Sequence, residues 1–263
     1  MSTELDAVTR AHFTARAATY TGGGEASLQV MLELAAPRPG ERALDVATGT
    51  GLVLFALAER LGSAGLAIGI DFTPAMLAQA AARQGQVARS PGAARTVLIA
   101  ADAVRLPFRP ETFDVVTCRF SVHHMSDPAA GLAAMARVLR RGGRLVIADF
   151  VRPDDPAEAA RHDRLEQLRG HQHVRIYDRA ELEALLAAAG CPVRAARSTE
   201  RELNPQDWLN SPNVPPESQP ELAQLIAEIE RSGGAGLQVR HVDGQTRYVR
   251  NDLVLLGIKE PPA

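Results

Sequence analysis

The chain predicts an α/β fold built on a doubly wound, mostly parallel sheet, and three observations carry that expectation. Short apolar runs alternate with amphipathic stretches of helix length from Arg42 onward; helix-start signals follow the runs; and about five such repeats fit into roughly 110 residues. The first run, "ALDV" (43–46), leads through Gly49-Thr50-Gly51 into Leu52, Phe55, Ala56 and Ala58 to Leu61, an apolar face at helical spacing that ends at Gly62. "GLAIGID" (65–71) is the second strand. Thr73 and Pro74 then supply an N-cap and a first-turn proline for a helix whose Met76, Leu77 and Ala80 face inward. "RTVLIAAD" (95–102) and "FDVVTCRF" (113–120) read as strands three and four. Asp127 and Pro128 open a helix with Leu132, Met135 and Leu139 on one face, closed by Gly142 and Gly143, and "RLVIADF" (144–150) is strand five.

Beyond Phe150 two further helices are expected, "DPAEAARHDRLEQLRG" and "YDRAELEALLAAAG", the second entered through Asp178 and left through Gly190. "PVRAARSTE" and "DLVLLGIK" read as a last pair of strands. Between them residues 203–236 are rich in proline, asparagine, serine and glycine around one helix at 220–230, and "HVDGQTRYV" carries the Asp-Gly of a hairpin turn. An insertion of this size exceeds what a connection needs and reads as a cap over the active site. The expected organisation is an N-terminal helical lid over 1–40, a core over 41–202, a cap over 203–245 and a final core strand over 246–263.

Composition removes several classes of function. The net charge of −2, with both signs scattered, leaves no basic stripe for nucleic acid, and no apolar run approaches a membrane span. The N-terminal segment has no apolar h-region and reads as mature sequence. Cys118 and Cys191 are too few for a disulfide framework or a zinc knuckle, so a reducing cytoplasm is the expected compartment. Of the 29 basic side chains only Lys259 is lysine, which removes phosphate-loop and Schiff-base lysine chemistry. No G-x-S-x-G, H-E-x-x-H or C-x-x-C occurs, and no metal site is expected.

The glycine loop can serve two ligands, and charge separates them. A dinucleotide pyrophosphate wants G-x-G-x-x-G, yet Leu52, Val53 and Leu54 follow Gly51 and the third glycine is absent. Asp45, ending the first strand, would repel a pyrophosphate and attract a ligand carrying a sulfonium and an α-ammonium, as S-adenosylmethionine (SAM) does. Ala47, Thr48, Gly49, Thr50 and Gly51 form the loop that would cradle it. Asp71, twenty residues after Gly51, suits the two ribose hydroxyls. Asp102 and the amide of Ala103 suit the adenine edge, with Phe72 and Met76 for its faces.

On "LDVATGTG" (44–51), "GIDFTPAML" (69–77), "AADAVRLPFRPETFDVV" (100–116) and "MARVLRRGGRLVIADF" (135–150), the chain resembles the class I SAM-dependent methyltransferases, in the branch of the ubiquinone/menaquinone C-methyltransferases. That resemblance covers roughly residues 43–150. It implies a Rossmann-like seven-stranded sheet with an antiparallel last strand, SAM contacts from Thr50, Asp71, Asp102 and Ala103, and a backbone contact from Arg119 to the methionine end. "FTARAATY" (13–20) resembles the family's opening helix, whose tyrosine, here Tyr20, can close over the methionine carboxylate. Two departures stand out: Ala47 replaces the usual first glycine, and Arg119 a small polar residue.

Methyl transfer from SAM is an in-line displacement, so alignment and exclusion of water can suffice and a base is optional. The best-placed base candidates are His123 and His124 after strand four, with His123 preferred because strand alternation keeps it on the face of Arg119. His173 and Arg175, in a segment that resembles a substrate-facing one in related enzymes, and Trp208 in the cap are candidate acceptor contacts. The expected partner is a small-molecule methyl acceptor, quinone-like or a secondary metabolite, with the chain a monomer or homodimer. The alternative is a SAM-binding protein that transfers no methyl and uses the cofactor structurally or in a rearrangement. An NAD-dependent oxidoreductase is disfavoured, since no Tyr-x-x-x-Lys pair exists.

Overall fold

A computed structural model describes residues 4–20, 23–87, 92–169, 175–211 and 214–260. Two helices, α1 (Glu4–Arg16) and α2 (Glu25–Ala35), precede the alternating region of β1 (Arg42–Val46), α3 (Leu52–Leu61), β2 (Leu66–Asp71), α4 (Pro74–Val87), β3 (Arg95–Ala100), β4 (Phe113–Arg119), α5 (Pro128–Val138) and β5 (Leu139–Phe150). Then come α6 (Pro156–Leu168), α7 (Arg179–Ala188), β6 (Val193–Leu203), α8 (Pro205–Leu209), α9 (Gln219–Ser232), β7 (Gln238–Val242) and β8 (Gln245–Ile258). The sheet order is β3-β2-β1-β4-β5-β8-β6, with β7 pairing β8 off that path. β1 to β5 pair in parallel and β8 runs against both β5 and β6. The expected reversed strand is thus β8, and β7 is an eighth strand added by the predicted hairpin: Asp243 (φ 50°) and Gly244 (φ 74°) make its two-residue turn.

The strands fall where the alternation puts them because both sheet faces are covered. Leu44, Val46, Val116 and Leu145 face a core shared with α5 and α7, while Ala43, Val115, Val146 and Val254 face α2 and α3. Side-chain caps start the later helices: Asp127 accepts from Ala130 N–H at 2.9 Å, Asp155 from Ala157 and Glu158, and Asp178 forms a capping box with Glu181.

Four expectations are corrected. The fifth helix stops at Val138, not at the Gly142-Gly143 pair. Residues 139–143 are extended, because carbonyls that would continue the helix are taken by Glu111 N–H (to Arg137) and Thr112 N–H (to Val138). No helix joins β3 to β4. Only α1 of the predicted N-terminal lid overhangs the cleft; α2 buries Leu28, Met31, Leu32 and Ala35 against the sheet and is a core helix. Tyr20 lies past the end of α1 rather than within it.

The cap residues build their own apolar cluster from Trp208, Val214, Leu222, Ile226 and Ile229, closed by Leu165 and Leu168 of α6 and by Tyr248 of β8. Tyr248 O–H donates to the Ile226 carbonyl at 2.9 Å, so a buried phenol is satisfied inside this cluster.

One glycine controls the loop between β1 and α3. Gly51 has φ 85°, and a Cβ there would lie 2.4 Å from Cε2 of Phe55. Gly51→Ala therefore combines left-handed strain with overpacking, and urea unfolding should show a loss of about 2 to 3 kcal/mol.

Candidate active site

The carboxyl ends of β1, β2, β3 and β4 converge below α1 on a cleft of about 890 Å³, part of it open to solvent. Its walls carry Asp6, Asp71 and Asp102 against Arg10 and Arg119, together with Tyr20, Ala47, Gly49, Phe72, Met76, Ala103 and His124.

Asp71, 6% exposed, is the hub. Its Oδ2 accepts the Gly49 N–H at 2.9 Å and its Oδ1 the Thr73 N–H at 2.8 Å, so one carboxylate ties the glycine loop to the entrance of α4. Burial raises its proton affinity, opposed by the amides that donate to it. Carboxylate oxygens carry about four acceptor positions between them, which leaves capacity for vicinal hydroxyls. Asp102 accepts the Val104 N–H at 3.1 Å and is partly exposed, with Ala103 beside it on the wall.

The loop offers a pyrophosphate few free amides. Thr48 N–H donates to the Ile70 carbonyl and Gly51 N–H to the Thr48 carbonyl, each at 2.8 Å, while Gly49 N–H goes to Asp71. Three amides that could greet an anion are consumed by internal acceptors, and Asp45 and Asp71 adjoin the loop on its inner side. A cationic nucleoside without phosphates fits this donor set; a dinucleotide does not. Ala47 occupies the first-glycine position at φ 55°, a left-handed conformation unusual for alanine, and still lines the cleft.

Asp45 lies beneath the loop, 2% exposed, and does not reach the cleft wall. Thr48 donates to its Oδ2 and Thr117 to its Oδ1, both at 2.7 Å. Burial pushes its pKa up to about 6, against those hydroxyls and the charge of Arg119. A folded value above the unfolded one means that stability from this group is fullest below about pH 4 and is lost as pH rises through about 6. Asp45→Asn should therefore gain about 2 kcal/mol at pH 7.5 and almost nothing at pH 4, read by urea unfolding at both values.

Thr50 and Gly51 also stand off the cleft wall. Thr50 Oγ1 accepts from Arg83 at 3.1 Å, and Gly51 turns the chain into α3. Thr48 is held low by Asp45 and contacts the close-approach glycine Gly69. These residues shape the loop, while Ala47 and Gly49 present it.

The histidine assignment changes. Phe120 takes φ 50° and ends the strand alternation, and Val122–His124 form a tight 3-10 turn. His123 is consequently buried, 2% exposed, with Nδ1 2.5 Å from Oδ1 of Asp149. His124 faces the cleft instead, its ring 5.0 Å from Phe13 of α1 and edge-on to it, and 4.0 Å from His123. Asp149 was missed by the sequence reading, although it is a strand-end acid like Asp71 and Asp102. The α1 contributors Asp6, Thr9, Arg10 and Phe13 carry no local signal of where that helix would lie.

Of the acceptor candidates, His173 lies outside the described residues. Arg175 is exposed, ion-paired with Glu181, and is not on the cleft wall. Trp208 is 6% exposed inside the cap cluster, 5.4 Å from Tyr248 and covered by Arg169 at 4.1 Å. It lies in the cap core and is not on the cleft wall. Arg119 lines the cleft and donates to the carbonyls of Gly24 at 3.0 Å and Gly23 at 2.5 Å, pinning the segment before α2. Among the described residues no helix is long and apolar enough to cross a membrane.

Known proteins bear the same features. The methyltransferase domain family matches residues 44–147. A Bacillus subtilis protein named "Uncharacterized methyltransferase YcgJ" is 28% identical over 188 residues, 72% of either chain. The demethylmenaquinone methyltransferase of Roseiflexus castenholzii is 42% identical over 124 residues, 47% of this chain, which thereby spans about half (48%) of that relative. The crystal structure of the B. subtilis YcgJ protein superposes with a TM-score of 0.77 at 24% identity, covering 91% of this chain and all of that one. Residues 44–147 thus carry a methyltransferase domain, and over that region the chain resembles the class I SAM-dependent methyltransferases, the ubiquinone/menaquinone C-methyltransferases among them.

Proposed function

We propose that the protein transfers a methyl group to a small-molecule acceptor of quinone-like or secondary-metabolite type, and that Asp71, Asp102, Ala103, Phe72, Met76 and Tyr20 hold the cofactor. The supporting observation is the Asp71 carboxylate, buried at the strand ends and facing a cleft whose loop amides are already satisfied. SAM supplies an electrophilic methyl group on a sulfonium. In this reading the Asp71 oxygens accept the ribose hydroxyls, and Phe72 and Met76 sandwich the base against the edge read by Asp102. Tyr20, 4.0 Å from the position a Cβ on Gly49 would take, covers the methionine end. Arg119 carries the segment before α2 toward that end and helps to exclude water.

His124 is the residue placed to take a proton from an acceptor hydroxyl or acidic carbon, since it meets the cleft while His123 is committed to Asp149. Calorimetric titration with S-adenosylhomocysteine, followed by assay of its formation from SAM across quinols, phenols and enolisable ketones, tests the proposal. Tight cofactor binding with turnover on at least one acceptor is expected. Binding without any turnover favours a protein that uses the cofactor structurally, and no binding refutes the cofactor assignment.

A further inference from the structure

The amino-acid end of SAM carries a carboxylate as well as an ammonium, and a carboxylate taken out of water needs donors or a cation. The glycine loop has little to give it. The amides of Thr48, Gly49 and Gly51 already donate to Ile70, Asp71 and Thr48, and Leu52 and Val53, which open α3, are not on the cleft wall. A cation is the alternative. Among the described residues two arginines line the cleft, Arg10 and Arg119. Arg10 stands over Phe72, its Cζ 5.3 Å from the ring centroid, next to the end of β2 and on the side assigned to the adenine.

Arg119 sits at the other end. It is the last residue of β4, and the pairing of Val46 with Cys118 sets it beside Ala47, at the switch point where the sheet order passes from β1 to β4. Tyr20 is close by, with Cε1 4.0 Å from the position a Cβ on Gly49 would take. The Arg119 fork donates to the carbonyls of Gly24 and Gly23 at 3.0 and 2.5 Å, and its Cζ lies 4.6 Å from the centroid of the Phe120 ring. Those carbonyls are neutral, so they orient the guanidinium without cancelling its charge. Burial lowers its pKa, with Tyr20 and the charges of Asp45 and Asp252 acting in the opposite sense, and an arginine keeps its proton at neutral pH. The neighbouring guanidiniums are placed differently. Arg201 gives Nε and Nη2 to Asp252 at 2.9 and 2.7 Å, Arg250 lies over Phe150 at 3.9 Å with Glu166 3.8 Å away, and neither lines the cleft.

We infer that the guanidinium of Arg119 binds the α-carboxylate of the cofactor, a side-chain role at a position where the family resemblance implies a backbone contact. A guanidinium and a carboxylate make the charge-assisted pair that a compact point charge or a single amide cannot reproduce. The same fork then grips both the carboxylate and the Gly23–Gly24 turn, which ties the segment behind Tyr20 to the bound amino-acid end. This rests on the cofactor assignment above and adds to it the group that distinguishes the whole cofactor from a nucleoside lacking the acid.

The test titrates the full-length protein calorimetrically with S-adenosylhomocysteine and with its decarboxylated analogue, S-adenosyl-3-thiopropylamine, which keeps the nucleoside, the sulfur and the amine. In the unmodified protein S-adenosylhomocysteine should bind about 10-fold or more tightly than the analogue, the scale of a hydrogen-bonded charge pair. In Arg119→Met the two should bind within about 3-fold of each other, the preference having gone with the guanidinium. Arg119→Lys, which keeps the charge and loses the fork, should fall between. Equal affinity for the two compounds in the unmodified protein, or an unchanged preference in Arg119→Met, overturns the inference and puts the carboxylate elsewhere. Should Arg119→Met not fold, Arg119→Lys decides, and an unchanged preference there overturns the inference. Failure of S-adenosylhomocysteine to bind the unmodified protein refutes the cofactor assignment and this inference together, whereas tight binding of both compounds without preference refutes this inference only.

Discussion

Asp71→Ala is expected to weaken binding of S-adenosylhomocysteine at least 100-fold in calorimetric titration. Two ribose hydroxyls would lose an ionised acceptor, and hydrogen bonds to charged groups contribute about 1.5–3 kcal/mol each. The damage also reaches the loop, because the Gly49 and Thr73 amides lose the oxygens that accept them at 2.9 and 2.8 Å. Part of the lost affinity is therefore a disordered loop, visible as a stability loss of about 2 kcal/mol in the absence of ligand. Asp71→Asn, which keeps one acceptor oxygen, separates the two contributions: it should retain more stability than affinity. An affinity within tenfold of the unmodified protein would mean that the ribose is held elsewhere.

His124→Ala is expected to slow turnover about 100-fold or more while leaving cofactor affinity intact, if the acceptor must lose a proton in the rate-limiting step. His123→Ala should behave differently. It removes the imidazole partner of Asp149, 2% exposed, which keeps the backbone N–H groups of His123 and Phe150, and the lost hydrogen bond to a buried charge costs about 1.5–3 kcal/mol. The first variant is thus a kinetic lesion in a stable protein and the second a stability lesion, distinguished by measuring turnover and urea unfolding on both. A slowdown of only a few-fold in His124→Ala would indicate that alignment alone accounts for the chemistry.

How much of this was legible in the chain depends on whether local rules govern each position. Asp71 and Asp102 could be read because the end of β2 and the position two residues past β3 are set by short-range pattern. Caps at Asp127, Asp155 and Asp178 are local for the same reason. Leu139 fits a helical face in sequence, but Lys259 Nζ donates to its carbonyl at 2.6 Å and backbone bonds tie 142–143 to Lys259, partners 120 residues away that pull the segment into the sheet. The choice between His123 and His124 turned on one left-handed residue, Phe120, which nothing in "CRFSVHH" announces. Arg250 and Trp208 were illegible because their neighbours come from α6, β6 and the cap, brought together only by the completed sheet.

β8 belongs to two neighbourhoods at once: residues 252–258 close the main sheet beside β5, while residues 245–249 pair with β7 at the foot of the cap. Swinging the cap outward would mean tearing a continuous ladder. α1 rests on side-chain contacts such as Phe13 against His124 and Arg10 over Phe72, with no strand tying it down. Asp6, Thr9, Arg10 and Phe13 of this helix form one wall of the cleft, so any shift of α1 on the sheet changes how much of the cleft meets solvent.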